Sequence, residues 1–163
     1  SSWESAVKNR LDTPWATMRR ADHVVLIRLT RPAHNSDELH QVTRFVDQCH
    51  RDCGRPVIML ALPSPGMSPL DEHIRSLVVR NIKQRFHSGV IEHALLAVPA
   101  GNAIARAMVR SIFTGARLLL GLPNRIQIVE SYQEASRIIA ERFGVSEDQI
   151  ISHCEALLAQ TVT

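Results

Sequence analysis

The chain has 163 residues, 45% of them apolar, with 19 Lys and Arg against 16 Asp and Glu and a net charge of +3. That length suits one domain able to bury a core without metal or disulfide staples, and no apolar run approaches the length of a membrane span. The mild charge and an aromatic content of only 4% argue against nucleic acid as a partner, and three cysteines, an odd number, argue for a reducing, cytoplasmic setting.

In chain order, the opening Ser1-Ser2-Trp3-Glu4-Ser5 lacks the basic-then-apolar layout of a secretory leader. Residues 1–13 read as a polar N-terminal extension with a short helix around Glu4 to Leu11. Residues 14–19 alternate weakly, and Arg20-Ala21-Asp22 turns them back into an apolar run at 23–30, so an edge hairpin is expected there. Three further apolar runs follow, at 56–62, 93–98 and 125–129. Runs this continuous predict strands buried on both faces.

The gaps between runs carry helical spacing. Asn35 with Glu38, Ser131 with Glu134, and Ser146 with Gln149 have the capping-box spacing, in which side chains satisfy orphaned backbone N–H groups. Ser68 before Pro69 predicts another cap, with Asp71 and Glu72 favourable to the positive helix end. The apolar stripes are Leu39, Val42, Val46, Cys49 and Cys53; then Leu70, Ile74, Leu77, Val78, Ile82 and Phe86; then a broad arc from about Asn102 to Leu120; then Ala135, Ile138, Ile139 and Phe143. A fifth stripe, in the C-terminal extension 144–163, comprises Ile150, Ile151, Cys154, Leu157 and Leu158. The predicted fold is α/β: a single mixed, mostly parallel sheet of about five strands with helices packed on it, plus an extra C-terminal helix.

That element order resembles the STAS fold, the anti-sigma-factor antagonist family, and its CRAL-TRIO-like bacterial relatives. The likeness covers residues 14–143. It rests on the strand-helix order, on Arg-Ser-Ile-Phe-Thr-Gly at 110–115 in the long third helix, and on the Ser131-x-x-Glu134-Ala135 helix after the last strand. The resemblance implies a serine or threonine, phosphorylated by a partner kinase, at the start of the second helix in an Asp-Ser-Ser/Thr-Gly context. The matching loop, Pro63-Ser64-Pro65-Gly66-Met67-Ser68, offers Ser64 and Ser68 without that pattern, and Asp71 and Glu72 would repel a phosphate there. Ser68 therefore reads as a helix cap and Ser64 as a loop residue.

No catalytic or metal signature stands out. Cys49, His50 and Cys53 share a helix but lack the four converging ligands of a structural zinc site. None of the eight histidines sits in a recognised catalytic pattern, and His93 beside Glu92 and His73 beside Glu72 have no acid–base spacing. The loop at 98–102 holds one glycine, Gly101, and reads as a tight strand-to-helix turn. Arg106, Arg110 and Arg117, with Thr114 between them, form a stripe on the third helix that could dock an acidic partner. The fifth stripe, with Trp3 and Trp15 lacking an evident place in the core, points to self-association as a homodimer, or else to packing within the chain. These residues predict no enzyme and no cofactor, but a protein–protein interaction module in a cytoplasmic regulatory or scaffolding assembly. The alternative is a carrier of a small apolar or acyl ligand of CRAL-TRIO-like type.

Overall fold

Six strands form one sheet in the order in which they occur along the chain: β1 (Arg10–Asp12), β2 (Ala16–Ala21), β3 (Val24–Leu29), β4 (Val57–Pro63), β5 (Ile91–Ala97) and β6 (Ile126–Val129). The first two pairings are antiparallel and the last three parallel. The computed structural model describes residues 9–64, 68, 70–99, 101, 103, 106, 107, 110 and 125–160. The expected hairpin is present. Its turn places Asp22 at φ +56°, a left-handed conformation that a short polar side chain tolerates.

The N-terminal segment departs from expectation. Arg10–Asp12, assigned above to a short helix, is a strand, and it makes six strands rather than about five. The sheet therefore begins before residue 14. This edge strand is only three residues long, and Asp12 accepts hydrogen bonds from both Arg10 and Arg19. Short, charged edges of this kind resist pairing with another chain.

Four helices are described: α1 (Ser36–Cys53), α2 (Glu72–His87), α3 (Tyr132–Phe143) and α4 (Glu147–Ala159). Asn35, Ser131 and Ser146 cap α1, α3 and α4 as their spacing predicts, each accepting from the backbone N–H three residues on. Gly54 and Gly144 end α1 and α3 at φ +66° and +69°, the left-handed cap that glycine adopts without a Cβ clash. The start of α2 differs. Ser68 is exposed, and Asp71 is the cap, its carboxylate accepting from His73 N at 3.1 Å. An aspartate next to the first helical residue supplies both the acceptor and the negative charge that a helix start favours.

The helices fall on opposite sides of the sheet. α1 and α2 pack on β4 and β5 over a core that includes Val25, Ile27, Phe45, Val57 and Phe86. On the other side, α3 lies against β5 and β6 and α4 crosses β2 and β3, enclosing Val24, Leu26, Ile58, Leu60, Leu95 and Ile139. Of the predicted third helix, residues 103, 106, 107 and 110 have helical backbone, and the rest lies outside the described residues. Among the described residues, no helix is long and apolar enough to cross a membrane.

The C-terminal stripe is covered by its own chain. Ile150, Cys154 and Leu157 are fully buried, Ile151 is half-buried, and Leu158 alone is exposed. The three buried side chains belong to the core on the far face of the sheet, the packing within the chain that the sequence left open beside self-association. Trp15 does have a place in the core: it is only 4% exposed and belongs to the cluster that includes Leu39, Phe45 and Val46 of α1.

Candidate functional site

Continuous apolar strands imply full burial on both faces, yet the middle of the sheet is covered unequally. Along β4, Ile58, Leu60 and Leu62 are buried against the α3/α4 side, whereas Met59, Ala61 and Pro63 are only half-buried. Ala94 on β5 is half-buried as well. These positions floor a cavity of about 200 Å³ between the sheet and the helices α1 and α2.

Its walls are almost wholly carbon. Leu39 and Val42 come from α1, Val78, Ile82 and Phe86 from α2, and Trp15 and Ile27 from the hairpin strands and their approach. The stripe on α2 explains why the space exists. Only Ile74 and Phe86 of that helix are buried, while Val78 and Ile82 reach toward the floor without filling it. Two small residues, Ala61 and Ala94, stand where the neighbouring strand positions carry larger side chains.

Polar anchors hold the frame. Arg85 on α2 donates to both carboxylate oxygens of Asp47 on α1, at 3.0 and 2.9 Å, a bidentate geometry that fixes one helix against the other. Most of the helical residues lining the cavity lie N-terminal to this fork. Phe86 is covered on its ring face by the Arg125 guanidinium, 5.3 Å from the ring centre. Among the described residues, Arg31, Thr43 and Asn81 line the cavity and are partly exposed, while the Trp15 indole Nε1 is buried without a hydrogen-bond partner.

Arg31 is already engaged. It donates to Glu38 at 3.1 and 2.8 Å and to Pro32 O at 3.0 Å. Glu38 also accepts from His34 N at 2.7 Å. The hydrogen bonds from Arg31, then that from His34 N, hold the Glu38 carboxyl down at about 2, so it is ionised throughout the neutral range. Thr43 donates its hydroxyl to His40 O.

The other sequence candidates are dispersed. Ser64 donates its backbone N–H to Leu29 O and so extends the strand ladder. Arg106 bonds Val98 O at 3.4 Å and lies 3.8 Å from Glu130, while Arg110 is exposed. Thr114 and Arg117 lie outside the described residues. Burial pushes the Cys49 and Cys154 thiols up to about 12 and raises Cys53 as well, which keeps all three as thiols. His93 is 3% exposed, hydrogen-bonded to Gln127 and against the Phe143 ring, and burial lowers its pKa despite the Gln127 bond. His23 is 1% exposed with neither ring nitrogen hydrogen-bonded, and its Nδ1 lies 3.6 Å from Asp22 Oδ2. Among the described residues, no group of three His, Cys, Asp or Glu converges as metal ligands would.

The search for relatives adds no assignment: no family model matches the chain, and no curated protein matches it. Sequence reasoning missed the cavity itself. Its one signal was the pair of alanines, Ala61 and Ala94, each paired across the sheet with larger apolar residues, Ile27 and Leu96 beside Ala61 and Met59 and Ile126 beside Ala94.

Proposed function

We propose that this domain is a non-enzymatic binding protein that encloses a small apolar molecule between its sheet and the helices α1 and α2. The observation that carries the reading is the carbon-lined cavity of about 200 Å³ beneath those helices. An apolar cavity of roughly 150 Å³ stays dry and admits benzene, because transfer from water is favourable and no wall group loses a hydrogen bond. The ligand-carrier alternative, of CRAL-TRIO-like type, is thereby preferred to the STAS-like interaction module. A single exposed leucine, Leu158, is ordinary for a protein surface. A regulatory partner or a second copy of the chain would engage surfaces other than the buried face of α4.

Titration with toluene tests this reading. Binding within the cavity shifts the methyl resonances of Leu39, Val78 and Ile82 saturably, and it raises the unfolding temperature by mass action. Methyl spectra and an unfolding curve that toluene leaves unchanged would refute it.

A further inference from the structure

Resting on the apolar-ligand reading above, we propose that the cavity selects an uncharged molecule and rejects the corresponding carboxylate, because Arg31, the one cation among the described residues of its lining, is already neutralised from within the chain. Scaled from a cavity of roughly 150 Å³ that holds benzene, this one accommodates about eight carbon atoms: one substituted aromatic ring or a medium-length chain.

The selection follows from the order of groups along the lining. The buried part of the wall is hydrocarbon but for the Trp15 indole N–H, which has no hydrogen-bond partner, and one neutral donor does not replace the hydration of an ionised group. Among the described lining residues, the other polar side chains are the three partly exposed ones. An apolar pocket with an arginine on its lining would ordinarily read as a fatty-acid or aromatic-acid site, since guanidinium and carboxylate pair as two parallel hydrogen bonds. Here Glu38 occupies the Nη1–Nη2 fork and supplies the countercharge, so a further carboxylate meets only the Nε–Nη2 edge of a cation whose charge is already balanced.

An incoming carboxylate would either share Arg31 with Glu38 or displace it, and in both cases it would stand close to the Glu38 negative charge. Displacement would also disturb the Glu38 contact with His34 N, at the first turn of α1. Thr43 spends its proton on His40 O. The Asn81 side-chain amide has no hydrogen bond to another described residue. It is a neutral group with both donor and acceptor capacity, so it suits a hydroxyl, carbonyl or amide on the ligand.

The test uses toluene, benzyl alcohol and benzoate, titrated separately at neutral pH and followed by the methyl shifts of Leu39, Val78 and Ile82. Benzyl alcohol binds at least about tenfold more tightly than benzoate, and Asn81→Ala weakens benzyl alcohol by a larger factor than toluene. In Glu38→Gln the freed Arg31 takes up benzoate, and the gap narrows to less than about threefold. Benzoate binding as well as benzyl alcohol to the unaltered chain would overturn the proposal. So would a gap that survives in a folded Glu38→Gln protein. If that variant does not fold, Arg31→Met removes the same pair, and loss of the preference for benzyl alcohol there would overturn the proposal too, because without a cation the carboxylate has nothing to gain. Failure of toluene itself to bind would refute the cavity as a ligand site, and is thus distinguishable from a wrong charge preference.

Discussion

Arg28 of β3 reaches across to the end of α4 and donates through a single nitrogen, Nη1, to Leu157 O at 2.7 Å. The same nitrogen lies 3.2 Å from Leu158 O and 2.8 Å from Gln160 O. A helix leaves its last carbonyls unpaired, and this one has no basic residue of its own in the last turn. A cation at that end answers both the missing donors and the negative pole of the helix. Arg28→Ala is expected to cost about 1.5–3 kcal/mol, the range for hydrogen bonds to a charged group. Urea unfolding checks the loss, and faster amide exchange in the last turn of α4 locates it.

The start of α2 separates two candidate caps by direct comparison. Asp71→Ala removes the acceptor for His73 N and should cost about 1 kcal/mol. Ser68→Ala, at an exposed position, should stay within about 0.5 kcal/mol of the parent. Equal losses in denaturant midpoints would mean that both side chains support the helix start.

Two adjacent leucines on α4 should respond oppositely to a charge. Leu157 is 0% and Leu158 43% exposed. Leu157→Asp forces a carboxylate into carbon and should abolish native circular dichroism or lower its melting temperature steeply. Leu158→Asp should leave the spectrum and the midpoint close to the parent. A native-like Leu157→Asp protein that had merely changed its oligomeric state would restore the self-association reading of this helix.

How far the sequence carried is itself instructive. Three helix starts, at Asn35, Ser131 and Ser146, were legible because a cap is settled within four residues. The alternation of strands and helices was legible because buried runs and amphipathic stripes have different periods. Ser68 misled because Asp71 offered a better acceptor three residues on. Trp15 misled because its burial depends on α1, some twenty residues further along. The cavity was least legible of all: Met59 and Ala61 look as apolar as Ile58 and Leu60, and only the distance of two helices from one face of the sheet distinguishes them. The candidate site is a property of what the side chains fail to fill, which no local pattern encodes.

Filling that space should therefore be tolerated. Ala61→Leu adds three carbons on the cavity floor and is expected to change stability by less than about 1.5 kcal/mol, since the space already exists. The same substitution should eliminate the toluene-induced shifts of Val78 and Ile82. Methyl spectra of the folded variant provide the check.

Acid should weaken the fold in two separate windows. His93 has its pKa lowered below 6.5, chiefly by burial, with Arg142 and Arg125 adding to the effect while Gln127 and Glu92 oppose it. The unfolded chain then binds the proton more readily, so stability declines as the pH falls below about 6.5. Glu38 acts lower: its contribution is present above its ordinary 4.5 and is lost as the pH falls toward about 2. Between pH 7.5 and 5.5, His93→Leu should show a flatter dependence in urea titrations than the parent. His153, also lowered by burial and by Arg19, retains part of the slope.

The strands follow one another across the sheet in order, but the covers of its two faces do not form together. Among the described residues, the helices that shield Val24, Leu26, Ile58 and Leu60 on the far side are α3 and α4, within residues 132–159. During synthesis at roughly 5–20 residues per second, β4 is complete several seconds before the first residue of α3 is made. For that interval the nascent chain holds a sheet half wrapped, with an oily surface waiting for α3 and α4. The growing chain is thus most vulnerable to clumping before α3 and α4 emerge, and Arg28, by fastening the last turn of α4, closes that period of exposure.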